Sequence, residues 1–167
     1  MCSACLAGDI QVFPLMMSAD YYMREALIEG RKALPSCLPN PPVGCVVVLA
    51  GEIVGRGHTQ PPGAPHAEIG ALNAWQGDLA DATLFVSLEP CSFQGRTPAC
   101  AEAIIARGIR KVVVAIIDPD PRNNGAGIEK LRSAGAVVQL GVLAEVAQAD
   151  LGPHLNLPAN KEPTGSG

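Results

Sequence analysis

TLFVSLEPCSFQGRTPAC, residues 83–100, carries a strand, a loop and the start of a helix. Its first part, Thr83 to Leu88, is a β-rich apolar run with the length of a buried strand, and Glu89-Pro90 closes it. Cys91 and Cys100 follow, with eight residues between them. Thr97 is a good N-cap and Pro98 suits the first helical position. A helix is therefore expected from there to about Gly108, with Cys100 near its third residue. A disulfide, a metal site and plain packing are all open readings of such a pair, and the rest of the chain has to choose among them.

Strands and helices alternate outward from this stretch. Ser18 can cap a helix to about Leu34, because Tyr22, Ala26, Leu27 and Ala33 recur near helical spacing before Pro35. VGCVVVLAGEIVGRGHT, residues 43–59, places two β-rich runs around Ala50-Gly51-Glu52 and reads as a hairpin. Pro65 opens a helix to about Trp75, with His66-Ala67-Glu68 in its first turn. Lys111 to Ile117 is a central strand by its β-branched continuity. A helix from about Gly127 to Ala134, a strand from Ala136 to Leu140 and a helix from Leu143 to Leu151 complete the pattern. The fold class is α/β: one domain over residues 18–157, with helices on both faces of a mixed sheet of about five strands. Residues 1–17 read as a flexible N-terminal segment and 158–167 as a disordered tail.

Composition narrows the function. A chain of 167 residues suits one domain. Its unbroken apolar runs, such as Val112 to Ile117, fall far short of the ~20 residues of a membrane span. The N-terminal piece has no basic region and carries Asp9 inside its apolar stretch, which argues against a secretory signal and for the cytoplasm. Thiols stay reduced there, and paired cysteines more often bind metal or do chemistry than form disulfides. The formal net charge of -4, with no basic run, argues against nucleic-acid partners. Three Phe, two Tyr and one Trp make a poor stacking platform for single strands. A small-molecule substrate is the remaining expectation.

Two predicted helix starts bring one histidine and two cysteines toward one place. A catalytic zinc takes three protein ligands and keeps a position for water, and His66, Cys91 and Cys100 supply that set, one Zn2+ per chain. Cysteine binds as thiolate, and the expected helix start at Cys100 lowers its thiol pKa. Glu68, two residues past His66, is acidic and not needed as a ligand, so it can take a proton from water and pass it to a leaving group. Each residue alone has a plainer reading: His66 as an ordinary helix histidine, Glu68 as a first-turn carboxylate, the cysteines as small buried side chains. Packing explains neither the proline before Cys91 nor the capped helix start at Cys100. Cys2 and Cys5 form a C-x-x-C with no second pair, and Cys37 and Cys45 read as packing residues.

His66-Ala67-Glu68 followed by Pro90-Cys91 and a further cysteine resembles the zinc-dependent nucleobase deaminases, whose pattern is H-x-E with P-C-x-x-C. The longer separation of the cysteines is similar to the pyrimidine deaminase half of the bifunctional riboflavin-biosynthesis deaminase/reductases. Asn40-Pro-Pro-Val-Gly-Cys, Gly57-His58, Pro65-His-Ala-Glu, Leu88-Glu-Pro-Cys-Ser, Gly95-Arg-Thr-Pro-Ala-Cys and Asp118-Pro-Asp-Pro resemble motifs of that family in the same order. The resemblance spans Asp20 to Leu151. It implies a cytidine deaminase-like three-layer α/β/α fold, zinc on His66, Cys91 and Cys100, and Glu68 as proton shuttle. It also implies a homodimer or larger homo-oligomer. Asn40, His58, Ala67 and Phe93 are the implied substrate-binding residues, with Arg96 suited to the substrate's phosphate. Phe93 stands where that family usually carries a histidine.

The implied reaction is hydrolytic deamination of a diaminopyrimidinone ribose phosphate in riboflavin biosynthesis. The sequence passes from His154-Leu-Asn-Leu into a short polar tail where the bifunctional enzyme continues, so a stand-alone deaminase without the reductase is expected. Two other readings stay open. One is the same chemistry on another aminopyrimidine or purine base or nucleoside, such as guanine or cytosine; the other is a non-catalytic zinc-binding partner subunit.

Overall fold

The structure is a computed structural model that describes residues 17–95 and 98–155. The expected flexible N-terminal segment, apart from Met17, and the expected disordered tail lie outside the described residues, as do Arg96 and Thr97.

The chain order is α1 (Ala19–Arg31), β1 (Gly44–Leu49), β2 (Glu52–His58), α2 (Ala67–Asn73), β3 (Thr83–Leu88), α3 (Cys100–Ala106), β4 (Lys111–Ile116), α4 (Ala126–Ser133), β5 (Val137–Leu140) and α5 (Ala144–Leu151). A 3-10 turn, Gly152–His154, follows α5. The five strands form one sheet in the order β2-β1-β3-β4-β5. β1 runs antiparallel to both β2 and β3, whereas β3, β4 and β5 are parallel. The sheet is therefore mixed, and α3 and α4 lie on the crossovers that parallel neighbours require.

Ser18 caps α1 as expected, its hydroxyl accepting from the Tyr21 amide. The hairpin turns at Ala50 and Gly51, both at positive φ (51° and 80°), as a two-residue turn between right-twisted strands demands. The Tyr22 hydroxyl donates to the Gly51 carbonyl at 2.7 Å and ties that turn to α1.

Two glycines show how closely the layers approach. A side chain on Gly44 would strike the Ala26 carbonyl of α1, whereas one on Gly57 would strike the Ala67 carbonyl of α2. Gly57 pairs with Cys45, the neighbour of Gly44, and successive residues of a strand face opposite sides. So α1 and α2 cover opposite faces, which makes three layers. Val46, Val47, Leu84, Val86, Val112 and Val114 form the buried middle of the sheet, against Met23 of α1 and Leu72 of α2. β1, β3 and β4 read as near-continuous apolar runs because both their faces are covered.

The contact at Gly57 sets the position of α2, which begins next to His66, an expected metal ligand. Gly57→Ala is expected to cost about 1–3 kcal/mol by overpacking. Its urea midpoint should fall, with metal affinity weakened as α2 is pushed outward. A midpoint equal to the wild type's would show that α2 is not held at this crossing.

Candidate active site

The parallel strands β3 and β4 end beside each other, with Leu88 opposite Ile116. Past those carboxyl ends the chain makes two loops, where open α/β sheets place their ligands. The Glu89 amide donates to the Ile116 carbonyl at 3.0 Å, so the strand pairing extends to the residue before Pro90 and delivers Cys91 to the rim.

His66 is the N-cap of α2 rather than part of its first turn, and its ψ of 168° is extended. The helix starts two residues later than the sequence suggests, because the backbone at His66 turns the imidazole toward two thiols before it begins to coil. α3 likewise starts at Cys100, with Ala99 as N-cap, instead of near Thr97. The free amides of its first turn serve Cys91: the Cys100 amide donates to the Cys91 sulfur at 3.2 Å and the Ala101 amide to the Cys91 carbonyl at 3.1 Å. The helix start therefore also serves the Cys91 sulfur, which the sequence did not suggest, while Cys100 itself is the first residue of α3. In the metal-free chain the Cys100 thiol, aided by His66 and the Cys100 amide, holds Cys91 down to about 4 against the effect of burial. The same sulfur contact, then burial and nearby Glu68, push Cys100 up. Zinc takes cysteine as the thiolate, so metal loading must release the proton of Cys100.

The ligand atoms of His66, Cys91 and Cys100 all lie within 4.8 Å of one another. His66 Nδ1 is 3.1 Å from Cys100 Sγ and 3.8 Å from Cys91 Sγ. A tetrahedral zinc with two sulfur ligands at about 2.3 Å and a nitrogen at about 2.0 Å spaces its ligand atoms about 3.5 to 3.8 Å apart, so the set fits. Cys100 is buried, Cys91 half-buried and His66 exposed, which leaves the cluster open on one side. An open position is what distinguishes catalytic from structural zinc sites.

Glu68 stands outside the ligand set, in the first turn of α2, and is 4% exposed. Burial pushes its carboxyl up to about 7; its own backbone amide opposes this and the charge on Cys91 adds to it. A carboxyl so placed changes protonation state near neutral pH.

A cavity of about 170 Å³ opens over the cluster. Asn40, Ala67 and Phe93 line it together with His66, Glu68 and Cys91. His58 is not among the lining residues: its Nδ1 lies 3.0 Å from the Glu29 carboxylate of α1. Thr59, the next residue, lines the cavity instead. Arg96 lies outside the described residues.

Glu29 illustrates what His58 does there. Burial raises its carboxyl, but hydrogen bonds from Lys32 and His58 outweigh that and hold it below its ordinary 4.5. A depressed folded value adds stability above the unfolded value, and the gain is lost as pH falls through the folded one. Urea midpoints of wild type should therefore decline between about pH 5 and 3 more steeply than those of Glu29→Gln. Parallel curves would assign the decline to other carboxylates.

The sequence reading overlooked Glu89. Its buried carboxylate accepts four backbone amides, from Asp118 (3.1 Å) and Gly125 (3.0 Å) on one oxygen and from Gly127 (2.9 Å) and Ile128 (3.2 Å) on the other. Asn123 donates to the Pro90 carbonyl at 3.2 Å, and a side chain on Gly127 would strike that carbonyl. The loop from Asp118 to Gly125 is thus clamped against the turn that bears Cys91, and it brings Asp118, Asp120 and Arg122 to the cavity wall. The only signal in the sequence was an acidic residue at a strand end facing a Gly-rich turn with amides to satisfy.

Residues 16–116 match the family model of the cytidine and deoxycytidylate deaminase zinc-binding region. The chain belongs to that family. Its metal cluster of His66, Cys91 and Cys100 is accordingly a zinc site. The riboflavin biosynthesis protein RibD of Aquifex aeolicus is 50% identical over 127 residues, covering 76% of this chain and 36% of that protein. RibD of Escherichia coli is 44% identical over 132 residues, 79% of this chain and 36% of that protein. The chain thus spans about 36% of the length of these relatives. Among solved structures, the diaminohydroxyphosphoribosylaminopyrimidine deaminase/5-amino-6-(5-phosphoribosylamino)uracil reductase of Thermotoga maritima superposes with a TM-score of 0.76. It is 41% identical, and the match covers 80% of this chain and 39% of that one. The cytidine deaminase-like fold expected from the sequence is therefore the observed one. Among the described residues no helix is long and apolar enough to cross a membrane.

Proposed function

We propose that this chain is a zinc-dependent hydrolytic deaminase acting on a diaminopyrimidinone ribose phosphate of riboflavin biosynthesis. The observation that carries the reading is a buried Glu68, outside the ligand set, sharing one cavity with His66 and Cys91 of an open zinc cluster. The substrate class is supported by relatives 44–50% identical that are named for riboflavin biosynthesis.

In this reading His66, Cys91 and Cys100 hold zinc, which supplies Lewis acidity that makes water acidic near neutral pH. Glu68 accepts a proton from the attacking water and returns it to the amine that departs. The carbon gains a carbonyl oxygen and ammonia leaves, so one water is consumed per turnover. Burial keeps Glu68 away from bulk water, which lets it cycle between its two protonation states at one place. Asn40, Ala67 and Phe93 line the cavity and are the substrate-binding residues of the proposal. Arg96 joins them on its motif alone. His58, whose Nδ1 pairs with Glu29, is not among the residues lining the cavity and is left out of the proposed set.

A cytoplasmic homo-oligomer belongs to the same proposal. Cys37, Cys45, Cys91 and Cys100 form no disulfide, which suits a reducing compartment, and the exposed side chains of Trp75, Val137 and Val146 offer surface for self-association.

Ammonia release by the zinc-loaded chain tests the function. The panel is the aminopyrimidine ribotide, its dephosphorylated riboside, guanine, cytosine and their nucleosides. Preference for the ribotide is the expected result. Turnover of a base or nucleoside alone would keep the chemistry and discard the pathway, and no turnover of any compound would favour a non-catalytic zinc subunit.

A further inference from the structure

Phe93 and Arg122 come from different loops, one between β3 and α3 and the other between β4 and α4, and they meet at the cavity wall. The guanidinium carbon of Arg122 lies 4.5 Å from the centre of the Phe93 ring. Asp120 holds the same group along one edge, with Nε 3.1 and 3.2 Å from its two oxygens and Nη2 2.6 Å from the second. The Asp120 Oδ1 also caps the Arg122 backbone amide at 3.0 Å, so the cation and its partner turn as one unit.

A guanidinium carries five N–H donors. Asp120 engages Nε and Nη2 of Arg122, and among the described residues Nη1 has no hydrogen-bond partner. The edge between Nη1 and Nη2 presents two parallel donors, the spacing that phosphate oxygens take bidentately. Ordinarily an exposed arginine loses side-chain freedom when it grips an anion. Here one edge is already fixed by a carboxylate and one face by an aromatic ring, so less freedom is left to lose. The clamp of Glu89 on the loop from Asp118 to Gly125 holds this arrangement beside the cavity that contains Glu68.

We propose that Arg122, oriented by Phe93 and Asp120, grips the phosphomonoester of the substrate and sets the preference for a ribotide over the corresponding riboside. This inference rests on the ribotide reading above and names the group that enforces it. Asp120 offsets the charge of Arg122, so the grip works through directed donors more than through excess positive charge. A lysine, with a point charge and no planar fork, should therefore restore little of it.

The test uses the zinc-loaded full chain as wild type, Arg122→Gln, Arg122→Lys and Phe93→Leu. The ratio of kcat/KM for ribotide to that for riboside is expected to fall about 10- to 100-fold in Arg122→Gln, with the loss carried by KM. Arg122→Lys should recover only a small part, and Phe93→Leu should lie between wild type and Arg122→Gln. A ratio in Arg122→Gln equal to that of wild type overturns the inference, as does a wild type with no preference for the ribotide. If wild type turns over neither compound, the ribotide reading fails on its own. Calorimetric titration with ribose 5-phosphate then decides about Arg122: binding lost in Arg122→Gln supports the grip, and equal binding or none in wild type overturns it.

Discussion

Glu68→Gln should leave zinc content at the wild-type level and remove turnover. Gln has the shape of Glu and can still accept a hydrogen bond, but it cannot take up a proton from water or hand one to an amine. Positioned proton transfer contributes about 10²- to 10⁴-fold, so ammonia release should drop by at least that factor. The fold should not suffer, because the side chain is buried and burial already disfavours its charge. Nor should the metal be lost, since Glu68 is not one of the converging ligands. Metal analysis, a thermal scan and an ammonia assay on one preparation check all three. Zinc lost together with activity would make Glu68 a ligand or a support of the ligands; activity retained within a few-fold would end its role as proton shuttle.

The second large effect is expected at the cysteines. Cys91→Ala and Cys100→Ala should each strip the chain of zinc on dialysis, because two remaining ligands cannot complete a tetrahedral site. Metal bound only to the folded state stabilises it by about 4 kcal/mol when its concentration is a thousand times Kd. At about 2–4 °C per kcal/mol for a domain of this size, Tm should fall by about 8–16 °C. Wild type treated with a chelator should fall by a similar amount, which separates metal loss from damage done by the substitution itself. Cys91→Ala has one further cost. It leaves the Cys100 amide without its sulfur acceptor, at the start of α3. A single cysteine variant with full zinc content would sink the three-ligand assignment.

These two outcomes bear on different levels of the molecule. The cysteines couple the metal to the loops that close on it, whereas Glu68 acts only when substrate is present. A chain that passes the cysteine test but keeps its activity in Glu68→Gln would be a zinc enzyme whose proton shuttle is another group.

The strand order could not be read along the chain, but the strands themselves could. β3 lies at Thr83–Leu88 as its apolar run suggested, and β4 ends one residue short of the expected Ile117. Two covered faces make such strands continuous in hydrophobicity, and that property is local to the sequence. The residues of the zinc cluster were equally legible, because zinc restricts its ligands to a few residue types and the chain offers few histidines and cysteines to choose from. Glu68 stood out as an acid two residues past a ligand, and the structure buries it outside the ligand set.

Tertiary structure decided everything that depended on a partner distant in sequence. His66 remains extended and α2 starts after it because two sulfurs from another segment need the imidazole, a demand that no helix propensity records. The first amides of α3 serve Cys91 as well, since the earlier cysteine lies over the helix start. The contact of His58 with Glu29 depends on α1 crossing the hairpin, which no local pattern in the sequence announces. Glu89 and Arg122 carried no pattern of their own. One gains its role from four amides and the other from a carboxylate and a phenyl ring. By itself, then, the sequence determined the elements and the zinc chemistry, because burial on two faces and metal coordination both restrict residue type locally. The folded chain decided which charges face the cavity, because a charge takes its role from the groups that packing brings within hydrogen-bonding distance.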